Sequence, residues 1–253
     1  MFATLKRLDF AHAGNSIHLP YEVVELPDGR MSSRKGNIVP ITRLVQRMER
    51  VVRCLHLRQH EGTWTPEQIA TVASQVARGA IKFGMLRVTN GRKIVFQMRD
   101  WLRLDGDSGP YIQFAHNRIA SLLRRHPLPA DAGNHWELLV APEEVSLVAV
   151  LSRFNDVVTA ACADHQPALL CHYLIRVARS FSSFYTECPF LTAGDPALLQ
   201  ARLALASATG RALRQGLDRG DELSGIVRRL AFVGRRDHDD RPLQFSRLIE
   251  LAV

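Results

Sequence analysis

Between Gly29 and Gly36 the chain sets Arg30, Ser32, Ser33, Arg34 and Lys35 around Met31, three cations and two hydroxyls in six residues. All five side chains can donate hydrogen bonds, and flanking glycines let a backbone approach a bound group and move. Such a stretch can handle phosphate, but the same residues also make a basic sorting signal or a solvated turn. A second group, Tyr111, Gln113, His116, Asn117 and Arg118, lies within "YIQFAHNRIASLLRR". Further on, Arg176 and Arg179 flank an apolar stripe that ends near Tyr185, and Arg202 and Arg211 follow, all four placed to reach phosphates. No G-x-G-x-x-G or Walker loop occurs in the 253 residues. Cys54, Cys162, Cys171 and Cys188 form no C-x-x-C pair and no zinc spacing, as in a cytosolic protein with reduced thiols. His56 and His60 lie four apart but lack a third ligand nearby, so no metal site is expected.

These residues must be held by an ordinary globular chain, 46% hydrophobic and 23% charged, large enough for one big domain or two small ones. The net charge is +8 and arginine dominates the basic side, which favours a polyanionic partner and puts nucleic acid first. An arginine-preferring genome would give the same bias. No apolar run of about eighteen residues stands out, so no membrane span is expected. "MFATLKRLDFAHAG" lacks the apolar stretch of a secretory signal, and Asp9 argues against a transit peptide.

Local pattern assigns the elements. "IHLPYEVVEL" has β character and leads into a turn at "PDG". From Ile41 the apolar residues Ile41, Leu44, Met48, Val51, Val52 and Leu55 recur at helical steps, with Thr42 as the expected N-cap. A second helix starts at Thr65 as cap with Pro66 in its first turn. "KIVFQM" is a short extended segment and "LDGDSGP" a dense turn. The helix at Tyr111 has Ile112, Ala115, Ile119, Leu122 and Leu123 as its apolar face, and 126–134 is a loop. Three more helices are predicted: about Pro142 to Asp164, Pro167 to Tyr185, and Asp195 to about Leu217. Phe181 and Phe184 sit at core spacing in the middle one. The expectation is a mainly α protein whose C-terminal two thirds form a helix bundle.

Four segments in order carry a resemblance. "LPDGRMSSRKGNIV" resembles the KMSKS signature as arginyl-tRNA synthetases, a class I family, write it. "GDSGPYIQFAHNRIASLLRR" is similar to that family's entry into its anticodon-binding domain, and "LIRVARSFSSFYTECPFL" and "RLALASATGRALRQGLDR" to the domain's last helices. The resemblance implies a helical bundle of the anticodon-binding type, preceded by a small α/β remnant of a Rossmann-type catalytic domain. It divides the chain into 1–40 with the signature loop, a helical connection at 41–107, the anticodon-binding bundle at 108–219, and a divergent tail at 220–253. It implies ATP with Mg2+ as cofactor of the complete enzyme, with Arg30, Ser32, Ser33, Arg34 and Lys35 stabilising charge on the pyrophosphate leaving group, and Gly29, Met31 and Gly36 shaping the loop. Arg30 stands where the family often has lysine. For Tyr111, Gln113, His116, Asn117, Arg118, Arg176, Arg179 and Tyr185 it implies contact with tRNA, tRNA(Arg) in particular: an aromatic with amides and bases suits unpaired anticodon-loop nucleotides.

The chain departs from that family in one respect that matters for chemistry. A class I site needs an H-x-G-H element facing the signature loop, and none occurs; "AHAGNSIHLPY" has two histidines in the wrong order and spacing. The expectation is therefore tRNA binding in the cytoplasm without independent activation of arginine, with a separate chain carrying the catalytic half. A free-standing RNA-binding module, or a degenerate fragment, is the other reading. In the tail, "RRDHDDR" reads as solvated and "LQFSRLIELAV" as a short amphipathic helix.

Overall fold

The computed structural model describes residues 2–11, 13–15, 17–27, 29–30, 40–128, 135–190 and 194–232; for 219–232, and for residues 2, 15, 29 and 30, it describes the backbone alone. Residues 31–36 of the basic loop and both tail motifs fall outside the described residues.

A short helix α1 (Phe2–Arg7) precedes three small strands. β1 (Val24–Leu26) pairs antiparallel with β2 (Gly29–Arg30), Leu26 opposite Gly29. β1 also pairs in parallel with β3 (Ile94–Val95), and Lys93 reaches Glu25 at 3.5 Å. Helix α2 (Ile41–Val52) begins directly after Pro40 as N-cap, not at Thr42, and makes no side-chain cap bond. Pro40 supplies the extended backbone (φ −58°, ψ 141°) that an N-cap needs, so the helix starts earlier than a hydroxyl-based reading places it. It continues through a π-helical turn, Arg53–Leu57.

Helix α3 (Pro66–Leu86) starts with the expected cap: Gln68 N donates to Thr65 Oγ1 at 3.3 Å, and Thr65 N donates to Gln68 Oε1 at 2.9 Å. The apolar faces of α2 and α3 enclose a small core of Met48, Val52, Ala73, Ala77, Phe96 and Trp101. After the one-turn helix α4 (Met98–Trp101), Ser108 caps α5 (Gly109–Arg125) by accepting from Tyr111 N at 3.1 Å. Gly109 is required here: a Cβ would lie 2.8 Å from the Gly79 carbonyl oxygen, so only glycine lets α5 cross α3 this closely.

The expected helix from Pro142 is two helices, α6 (Pro142–Ser152) and α7 (Phe154–Ala163), broken at Arg153. Pro142–Ala163 also meets the length and composition of a membrane-crossing helix, contrary to the sequence expectation. One such stretch is weak grounds for a span, and it is broken at Arg153, where α6 ends and α7 begins. Helix α8 (Pro167–Glu187) buries Leu170, Tyr173, Leu174, Val177, Phe181 and Phe184. Helix α9 (Pro196–Phe232) starts with Ala197 N donating to Asp195 Oδ1 at 2.9 Å and runs on past Leu217. Together α5, α6, α7, α8 and α9 enclose the larger core, so the protein is mainly α, as the residue pattern requires.

Candidate nucleic-acid interface

The residues expected to touch RNA are sorted by the bundle into separate neighbourhoods. Tyr111, Phe114 and Arg118 recur at helical steps on one side of α5. The Arg118 guanidinium lies over the Tyr185 ring, 4.6 Å from its centroid, and 5.5 Å from that of Phe114. This cation–π bridge ties α5 to the C-terminal end of α8. Beside it, the Tyr111 hydroxyl is 3.3 Å from Ser182 Oγ. Tyr185 is half-buried and leans on Phe181 and Phe190, at 5.8 and 5.6 Å between centroids, so the platform rests on the rigid core. Arg118 and Phe114 remain exposed. Phe114 was not singled out from the sequence. An aromatic placed one turn before an arginine, off the buried stripe, was the available signal.

Gln113 turns the other way, toward α3. Its amide packs over Gly79, where a Cβ would come within 2.6 Å of Nε2, and its buried Oε1 has no partner. His116 faces α9; burial holds its pKa below the usual histidine value and the positive charge of Arg214 adds to the shift. Asn117 is exposed.

Of the arginines, Arg176 is exposed, while Arg179 pairs with Asp107 in the turn before α5. That pair is open to water and leaves the guanidinium able to exchange partners. Arg202 is corrected by the structure. Its Nε donates to Glu144 Oε1 at 2.6 Å and its Nη1 to the Pro189 carbonyl at 2.8 Å, with the two side chains 11% and 1% exposed. It is an internal ion pair locking α6 to α9, and no phosphate can share it. Arg211 stays exposed, 3.4 Å from Ser207 Oγ.

Elsewhere, Gly29 and Arg30 lie in β2, and Met31, Ser32, Ser33, Arg34, Lys35 and Gly36 are outside the described residues. Among the described residues no three His, Cys, Asp or Glu side chains come together as a metal site. His56 bonds the Leu102 carbonyl at 2.9 Å, and His60 stacks on Trp64 at 4.1 Å.

Residues 112–219, which hold this helical bundle, match the family of the DALR anticodon binding domain. Over 217 residues the chain is 48% identical to the arginine–tRNA ligase of Bdellovibrio bacteriovorus, covering 86% of this chain and 37% of that relative. The Pyrococcus abyssi arginine–tRNA ligase is 35% identical over 224 residues, 84% of this chain and 35% of the relative. Thermus thermophilus arginyl-tRNA synthetase superposes with a TM-score of 0.71 at 29% identity, over 86% of this chain and 36% of that one. The Plasmodium falciparum enzyme shares the fold, with a TM-score of 0.60 at 22% identity over 70% and 31% of the two chains. The chain is thus homologous to arginyl-tRNA synthetases over most of its residues, and it spans about a third of the length of these relatives.

Proposed function

We propose that the chain binds tRNA, tRNA(Arg) in particular, through the platform of Phe114, Arg118 and Tyr185, as the anticodon-reading part of an arginine–tRNA ligase. The observation that carries this reading is the Arg118 guanidinium lying over Tyr185, with Arg118 and Phe114 exposed at the bundle surface. Unpaired bases stack on aromatic rings and guanidinium planes, and a ring already seated on a core loses little freedom in doing so. Asn117 on α5 and Arg176 and Arg179 on α8 are exposed on the same two helices and would supply amide and cationic contacts. Tyr111 holds α5 against α8 through Ser182, and Gln113 and His116 act from behind by setting the helix against α3 and α9.

The chain divides into 1–40, 41–107, 108–219 and 220–253, with the connection at 41–107 joining the loop to the bundle. The cations and hydroxyls of Arg30, Ser32, Ser33, Arg34 and Lys35, framed by Gly29, Met31 and Gly36, suit the phosphates of ATP with Mg2+. ATP supplies the adenylate leaving group in such ligases. With no H-x-G-H element in these 253 residues, arginine activation depends on residues outside them, on a longer or a second chain. The reaction belongs to the cytoplasm.

Equilibrium binding of a tRNA(Arg) transcript, against a transcript of a different tRNA, tests the reading. Phe114→Ala and Arg118→Ala are each expected to weaken tRNA(Arg) about 5- to 100-fold, the loss of one base stack. Equal affinity for both transcripts, or no effect of either substitution, refutes the assignment. Arginine-dependent pyrophosphate exchange by this polypeptide with tRNA present refutes its dependence on further residues.

A further inference from the structure

Three arginines of the bundle and its entry turn hold ion pairs, and the pairs differ in what they join. Arg202 is sealed with Glu144, and Arg103 bonds Asp105 two residues along the same turn. Arg179 and Asp107 join separate elements, 72 positions apart, with side chains 60% and 47% exposed. Asp107 lies in the turn between α4 and α5. Its carboxylate accepts from Arg179 Nη2 on α8, and its carbonyl accepts from Arg87 Nη1, at the end of α3, at 2.6 Å. The next residue, Ser108, is buried; it caps α5, and its hydroxyl donates to the Arg103 carbonyl. One acidic residue therefore ties the entry turn to α8 through its side chain and to α3 through its backbone.

The pair stands at the foot of the platform. Arg179, Ser182 and Tyr185 follow one another along α8, and their partners Asp107, Tyr111 and Arg118 follow in the same order through the entry turn and α5. At about 1.5 Å of rise per residue, Arg179 is about 9 Å along the helix axis from Tyr185. A nucleotide stacked on the platform holds its flanking phosphates in that neighbourhood, so Arg179 meets them at a high effective concentration. An exposed carboxylate–guanidinium pair is worth little in water, and a phosphate takes the same guanidinium fork in a bidentate way. Once RNA is seated, Asp107 is the weaker of the two partners.

We propose that Asp107 is a latch on the RNA-binding face: in the free protein its carboxylate occupies Arg179, and RNA binding exchanges that carboxylate for a phosphate. The released turn keeps its cap at Ser108 and its backbone bond to Arg87, so it stays with α5 and α3. Only its tie to α8 is lost. Occupancy of the platform is thereby felt at the end of α3, the last turn of the helix that leads toward β3. The inference rests on the proposal that this chain binds tRNA through the α5–α8 platform, and it adds the group that RNA must displace there.

The test uses the full chain with a tRNA(Arg) transcript and a transcript of a different tRNA, each titrated across about 50 to 200 mM salt. Asp107→Asn should tighten tRNA(Arg) about 2- to 5-fold, the worth of one exposed ion pair, with the slope of log K against log salt unchanged. Arg179→Gln should lower that slope by about 1, and Arg179→Lys should keep it, which separates lost charge from lost fold. In Asp107→Asn/Arg179→Gln the gain should vanish, leaving the affinity of Arg179→Gln alone. A measurement on the wild-type chain needs no variant: hydrogen exchange at the amides of 104–107 should speed up when tRNA(Arg) binds, because the turn loses its hold on α8. The latch is overturned if Asp107→Asn binds no tighter, if its gain survives in the Arg179→Gln background, if Arg179→Gln keeps the wild-type slope, or if those amides are unchanged or protected in the complex. A chain that binds both transcripts equally yet shows the Asp107–Arg179 coupling sinks the anticodon proposal and leaves the latch standing. Preference for tRNA(Arg) without the coupling sinks the latch alone, and a chain that binds neither transcript sinks both.

Discussion

Removing Arg202 separates a structural cation from an RNA-binding one. In Arg202→Ala, Glu144 stays where it is, 1% exposed, with its charge no longer matched. The Ala141 amide, which donates to Glu144 Oε2 at 2.9 Å, is the remaining hydrogen bond to that carboxylate. The Pro189 carbonyl loses its guanidinium donor as well. Two charge-assisted hydrogen bonds at about 1.5–3 kcal/mol each bound the loss from above. Breaking a buried pair from one side costs about 3–5 kcal/mol, and that range fits this site. With a urea slope of about 2 kcal/mol per molar, the unfolding midpoint should drop by about 1.5 to 2.5 M. Glu144→Gln/Arg202→Met, which leaves no bare charge, should lose less than Arg202→Ala. Below its unfolding transition, Arg202→Ala should bind tRNA with unchanged affinity and salt slope. A midpoint shift smaller than about 0.5 M, or a salt slope reduced by about 1 in the folded variant, would falsify the internal-pair assignment and return Arg202 to the phosphate-reaching role that its place in the sequence first suggests.

Two further outcomes follow from the packing. Cys54 and Cys162 are exposed while Cys171 and Cys188 are buried, and burial pushes the Cys171 thiol up to about 12. A thiolate-specific reagent should therefore modify Cys54 and Cys162 in the native protein and reach Cys171 and Cys188 only on unfolding, read by peptide mass mapping; fast native labelling of Cys171 would contradict the burial. His116 has a folded pKa below its unfolded value near 6.5, so the unfolded chain takes up the proton first as pH falls. Its contribution is complete above that unfolded value and is lost as pH drops from there toward the folded pKa. Denaturation midpoints measured from pH 7.5 down to 5 should fall, and His116→Gln should flatten the fall; an identical profile in the variant would show that another group is responsible.

Much of the fold is readable residue by residue. The Thr65–Gln68 capping box, Pro66 in the first turn and the Leu170–Phe184 stripe are local, and each formed where short-range rules place it. The family, too, is carried by contiguous motifs. Where reading along the chain went astray, the deciding partner was distant or the rule was incomplete. Pro40 started α2 with its own backbone angles, and Arg153 divided a continuous apolar pattern into two helices. Thr42 and the single long helix were reasonable by composition alone.

The amino-acid order by itself determined which stretches are helical, which faces are apolar, and that Phe181 and Phe184 belong to the core, because these depend on steps of three and four within one helix. Tertiary structure decided which cations are free. Arg118 and Arg202 look alike along the chain, yet one reaches across to Tyr185, 67 positions away, and stays open to solvent, while the other is sealed against Glu144, 58 positions back. A guanidinium is the same group in both places. What differs is whether the fold brings it a half-exposed ring at the surface or a buried carboxylate, and only the packing of α5 on α8 and of α9 on α6 settles that.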